Sequence, residues 1–164
     1  IDAIRQLAKP NDVLLVYYQG GEVVDADGDF YLTTSGFRLD RNLERSAISG
    51  RRISGLFGAI SGAQVVLLDV TRQASGNSLE ARWPDDSRVA LFRLAWQPQV
   101  EDMESENLIG AWASALRKAS TLDEVSSEVV SFTQRLRQRF PESFSYLGHV
   151  PHALGKLRLG AAGG

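Results

Sequence analysis

The sequence predicts an α/β protein: a mostly parallel sheet flanked by helices, with a β-hairpin after the first strand. Short continuous apolar runs at 13–18, 65–70 and 89–96 are rich in β-branched and aromatic residues. They are too short for typical helices and read as buried parallel strands. Between and after them, apolar residues recur at steps of three and four, the spacing of amphipathic helices. Asp27-Gly28 sits between two apolar arms, a hairpin signal. Strands alternating with helices define the α/β class.

Taken in order, Ile1, Ile4, Leu7 and Ala8 have helical spacing, ended by Pro10-Asn11. The strand Val13 to Tyr18 follows, stopping at the polar turn Gln19-Gly20-Gly21. Glu22 to Thr33 forms the hairpin. Ser35 to Gly50 reads as irregular. Arg51 to Ile60 carries Ile53, Leu56, Phe57 and Ile60 on one helical face, with Gly62 as a stop. Val65 to Val70 is the second strand. A polar loop spans 72–86, and Val89 to Trp96 is the third strand. One helix then carries Leu108, Ile109, Trp112, Ala115 and Leu116. The next carries Leu122, Val125, Val129, Phe132, Leu136 and Phe140. Its start, Thr121-Leu-Asp-Glu124, fits a capping box. Phe144 to Val150 reads as a last, edge strand. Gly160 to Gly164 has linker composition.

The 164 residues suffice for one domain with a real core. A net charge of -2 provides no basic field for nucleic acid or anionic lipid. No apolar run approaches the roughly 20 residues of a membrane helix. Without cysteine there is no disulfide, no thiolate and no Cys-ligated zinc. That is compatible with a reducing compartment, so the expected location is cytoplasmic. Neither a metal nor a cofactor is expected. Asp25, Asp27 and Asp29 invite a calcium reading, but an EF-hand-type loop needs Gly at its sixth position. Gly28 is fourth, and a hairpin turn explains the same residues.

Two segments carry a family resemblance. Asp12-Val-Leu-Leu-Val-Tyr-Tyr-Gln-Gly-Gly21 resembles D-V-L-L-F-Y-F-S-G-H-G, and Gln64-Val-Val-Leu-Leu-Asp69-Val-Thr71-Arg72 resembles V-L-L-L-D-A-C-R. Both are signatures of the caspase-like (peptidase C14, metacaspase) family. Similar matches follow in order. They are the hairpin 22–33, Asn42 to Ser49, Leu94-Ala-Trp-Gln-Pro-Gln99, and Asn107 to Leu116. The resemblance implies a three-layer, Rossmann-like caspase fold over 1–159, with 160–164 as linker or tail. It also implies that two strands and a helix are missing upstream, so that the chain is cut from something longer. A first strand lacking its inner neighbour would leave ladder groups unpaired.

The resemblance places the family's general base at Gly21 and its nucleophile at Thr71. Neither residue can do that work. Glycine has no side chain, and the Thr hydroxyl is un-ionised at neutral pH and needs a strong local base. His149 and His152, the only imidazoles, lie in the C-terminal region. The expected catalytic set is therefore empty. The family's equivalent of Asp69 helps bind a basic substrate side chain, and the A-W-Q-P-Q segment lines its pocket. The expected binding set is Asp69, Glu22, Arg72, Trp96 and Gln97, with Glu22 and Asp69 as an acidic floor favouring Arg or Lys. The alternative for Asp69 is a carboxylate accepting loop amides. The expectation is an inactive caspase-like domain binding a protein or peptide, such as another caspase-like chain or an adjoining domain. A hydrolase rebuilt around Thr71, or a purely structural module, are the other readings.

Overall fold

A computed structural model of the chain describes residues 2–38, 42–72, 87–98 and 107–159. The expectations for the loop 73–86, for Trp83, for Gln99 and for Gly160–Gly164 lie outside the described residues.

Helix α1 (Asp2–Leu7) leads into β1 (Val13–Val24), which turns back as β2 (Phe30–Thr33). A one-turn helix α2 (Leu43–Ser46) and a short strand β3 (Ala47–Ser49) precede α3 (Gly50–Gly58). Then come β4 (Ala63–Arg72), β5 (Val89–Trp96), α4 (Leu108–Leu116), α5 (Leu122–Arg139), β6 (Phe144–His149) and α6 (His152–Gly155). The strands form one six-stranded sheet in the order β3-β2-β1-β4-β5-β6.

The sheet is mixed rather than mostly parallel. The β1–β4 and β4–β5 pairs are parallel, while β1–β2, β2–β3 and β5–β6 are antiparallel. The short hairpin forces the β2 reversal, since a parallel return needs a dozen or more residues. Ser35 to Gly50, expected to be irregular, contributes α2 and β3. Its Asn42 side chain accepts the Glu44 amide and caps the turn.

Two apolar clusters sit on opposite faces of this sheet. On one face, Ile53, Phe57 and Ile60 of the α3 region pack against Val66, Leu68, Leu91 and Phe30. On the other, α4 and α5 cover Val65, Leu67, Phe92, Leu94 and Trp96. In α5 the buried positions Leu122, Val125, Val129 and Leu136 follow the expected stripe. Valine costs at most ~0.7 kcal/mol in a helix. Burying each side chain contributes about 1.5–3 kcal/mol, so packing wins. The capping box is present: the Thr121 side chain accepts the Glu124 amide, and the Glu124 carboxylate accepts the Thr121 amide. The Ser120 amide, and with it the Thr121 amide, donates to the Glu124 carboxyl and holds it below its usual range.

Two local devices fix the strands that matter most. Gln64, fully buried, donates from Nε2 to the carbonyls of Phe57 (2.8 Å) and Ile60 (3.3 Å). It thereby ties the C-terminal end of α3 to β4. In the hairpin, Asp25 Oδ1 accepts the amides of Asp27 and Asp29, and Gly28 takes φ +86°. The Asp29 carboxylate pairs with Arg51 at 2.6 Å. Asp25 is thus occupied with its own turn and Asp29 with Arg51.

Candidate functional site

In open α/β sheets, ligands bind beyond the carboxyl ends of strands where the strand order reverses. Here that place lies between β1 and β4, because the chain leaves β1 toward β2 and leaves β4 toward β5. The two segments singled out by sequence meet there. They are neighbours, and Gly21 is the register partner of Thr71.

Neither residue stands at a strand end. The β1–β4 ladder runs from Val13↔Ala63 to Glu22↔Arg72, so the Gly21–Thr71 rung is the penultimate one. The expected stops at Gln19 and Val70 are overrun because each strand lends the other a ladder, and β2 then extends pairing to Val24. The Gly21 carbonyl is held by hydroxyls. Tyr18 Oη lies 3.0 Å from it and 2.7 Å from the Thr33 carbonyl, and Thr33 Oγ1 donates to Gly21 at 3.2 Å. Burial pushes the Tyr18 phenol above its ordinary pKa, so it remains a donor at neutral pH. Its ring lies over Gly20, where an added Cβ would sit 2.4 Å from Tyr18 Oη. The position resembling a catalytic base is therefore a structural joint.

The register holds His149 away from Thr71. Thr71 is level with Trp96 on β5, whereas His149 on β6 is level with Leu91. Five residues along a strand is roughly 16 Å, and two strand spacings add roughly 10 Å sideways. His152 follows in α6, whose Leu154 packs in the α5 cluster.

The expected binding residues divide between the two faces. Side chains alternate along a strand, so Glu22 and Arg72 point to the α3 face while Asp69, Thr71 and Trp96 point to the α4/α5 face. The shared acidic floor of Glu22 and Asp69 is therefore not formed. Glu22 is fully buried and meets Arg93, with Nε to Oε1 at 2.8 Å and a second contact between Nη2 and Oε2. Arg72 Nε lies 3.9 Å from the same carboxylate. This fork satisfies Glu22 from within the chain.

Asp69 accepts the Leu108 amide at 2.8 Å, at the start of α4. Burial raises its pKa, while the Leu108 amide and the Trp96 side chain pull it back down. The carboxylate thus anchors the N-terminal end of α4, a position the helix dipole favours. Trp96 is 1% exposed, and its ring packs on Phe140 and Phe144 at 5.7 and 5.2 Å between centroids. It is a core anchor rather than a pocket wall. Gln97 is exposed, and its amide donates to the Ser143 carbonyl at 2.8 Å.

Sequence reasoning missed Arg93, Tyr18 and Thr33. Arg93 had a usable signal: a lone cation inside Val89 to Trp96, an otherwise apolar strand, must be buried and so must have a partner. The hydroxyl pair on Gly21 had no comparable signal, because only the hairpin brings Thr33 beside Tyr18.

A scan against protein-family models and a search of curated proteins return no match to this chain. No described helix is long and apolar enough to cross a membrane. Among the described residues no group of three or more His, Asp or Glu could hold a metal ion.

Proposed function

We propose that this chain is a non-hydrolytic domain of caspase-like descent that works by binding another polypeptide, either a partner chain or an adjoining domain. The rung shared by Gly21 and Thr71 carries this reading. The two positions that resemble a catalytic pair are adjacent, as a dyad requires, yet they offer a bare backbone and a hydroxyl with no assisting base among the described residues. Asp69, on the same face as Thr71, is engaged by the Leu108 amide and the Trp96 side chain, which weakens its claim as a replacement base.

Fluorogenic peptides with Arg or Lys before the scissile bond test the proposal. The expected result is hydrolysis at the buffer rate, unchanged by Thr71→Ala. Turnover that disappears in Thr71→Ala would establish instead a hydrolase rebuilt around that hydroxyl.

A further inference from the structure

Three ionised groups meet at the carboxyl ends of β1, β4 and β5 on the α3 face, and their charges do not cancel. Arg93 takes both oxygens of Glu22. Arg72, the register partner of Glu22, is left as a surplus cation. Its Nε stands 3.9 Å from the same carboxylate, is shut off from solvent and has no hydrogen-bond acceptor among the described residues. The Arg72 side chain is only 20% exposed. The cations of the surface pairs, Arg51 and Lys118, are 81% and 64% exposed, and water solvates them. A guanidinium stripped of most of its hydration costs free energy until an acceptor reaches it.

The sheet brings a second polar group level with Arg72. The Gln97 amide donates to the Ser143 carbonyl, so extended pairing runs one residue past Trp96. Trp96 is the register partner of Thr71. Gln97 is therefore level with Arg72 and, by alternation, on the same α3 face. It is exposed, so its side-chain amide is open to a ligand. Glu22, Arg72 and Gln97 thus form a row across three strands, at the carboxyl edge where open α/β sheets bind ligands.

We infer that Arg72 and Gln97 bind the phosphate group of a small molecule, with Arg72 supplying the charge. Because Nε is closed to solvent, the ligand meets the two terminal amino groups of the guanidinium. The Gln97 amide adds a donor from the next strand, about 4.8 Å to the side. Donors from two directions suit a tetrahedral group with several acceptor oxygens. A planar carboxylate is satisfied by the guanidinium fork alone and gains nothing from Gln97. Glu22 does not compete for Arg72, since Arg93 already satisfies it. The chain's net charge of -2 disfavours a polyanion such as nucleic acid or an anionic membrane, so the phosphate belongs to a small free molecule. The site lies on the opposite face from Thr71 and holds whether or not that hydroxyl reacts.

The test is calorimetric titration of the full 164-residue chain with inorganic phosphate and with glycerol 3-phosphate, at an ionic strength fixed with sodium chloride. One saturable site per chain is expected for both. Arg72→Met should weaken binding about tenfold, and Arg72→Lys less, because a point charge keeps the attraction and loses the fork. Gln97→Ala, at an exposed site, should weaken phosphate about threefold and leave acetate unchanged. Acetate itself should bind about tenfold more weakly than phosphate. Where Arg72→Met loses the native far-ultraviolet spectrum, Gln97→Ala decides. The inference is overturned by absence of saturable binding, by affinity indifferent to these substitutions, or by acetate binding as tightly as phosphate. Tighter binding to anionic lipid vesicles than to glycerol 3-phosphate would also overturn it.

Discussion

Glu22 and Arg93 are 71 residues apart in sequence and form a two-pronged ion pair on the α3 face of the sheet, both essentially excluded from solvent. Arg93→Met leaves a buried carboxylate whose nearest remaining cation among the described residues, Arg72 Nε at 3.9 Å, is beyond hydrogen-bonding distance. The expected loss is about 3 kcal/mol. The double variant Glu22→Leu/Arg93→Met should recover most of it, because two apolar groups cost less than one unpaired charge. Urea unfolding of both singles and the double gives the coupling. Additive losses would mean that the pair is not an interacting unit.

Asp69 makes the fold sensitive to pH in an unusual direction. Its folded pKa is raised, chiefly by burial, so the folded chain holds this proton more tightly than the unfolded chain. Stability from this group is therefore greatest at low pH and falls as pH rises past the unfolded value near 3.9. Asp69→Asn keeps an oxygen for the Leu108 amide and carries no charge. It should be neutral or stabilising at pH 7, and the variant-minus-parent difference should shrink toward pH 3. Urea midpoints across that range measure it, and a large destabilisation at pH 7 would contradict the direction of the shift.

Two glycines should respond oppositely to alanine. Gly62 turns the chain into β4 at φ +97°, and a Cβ there would lie 2.5 Å from the Asp12 carbonyl. Gly62→Ala should cost about 1–3 kcal/mol. Gly55 lies in α3 with open space around its missing Cβ. Gly55→Ala should stabilise by about 0.5–1 kcal/mol, the helical preference for alanine. Thermal unfolding of the two variants distinguishes them by sign.

Tyr146 has a buried hydroxyl without a hydrogen-bond partner among the described residues, and burial pushes its pKa up to about 12. The fold prefers the neutral phenol, so stability from this group falls as pH rises above the unfolded value near 10. Tyr146→Phe removes the unmet hydroxyl and should stabilise by about 1 kcal/mol. It should also delete the most alkaline step from an ultraviolet tyrosine titration. A loss of 1 kcal/mol or more would indicate that the hydroxyl is bonded after all.

The α/β class, the 89–96 strand, the Asp27-Gly28 hairpin, the stripe and capping box of α5, and the lack of an imidazole and a thiol at positions 21 and 71 are all legible in the sequence. Those signals are local, because alternation, helical period and turn chemistry are set by neighbouring residues on one backbone. Tertiary structure alone decided the rest. Gly21 and Thr71 became one rung because two separate strands took that register. Glu22 and Asp69 went to opposite faces because alternation is counted from the register, not from the turn. Arg93 found Glu22 because pairing between distant segments brings their strands onto one face of the same sheet.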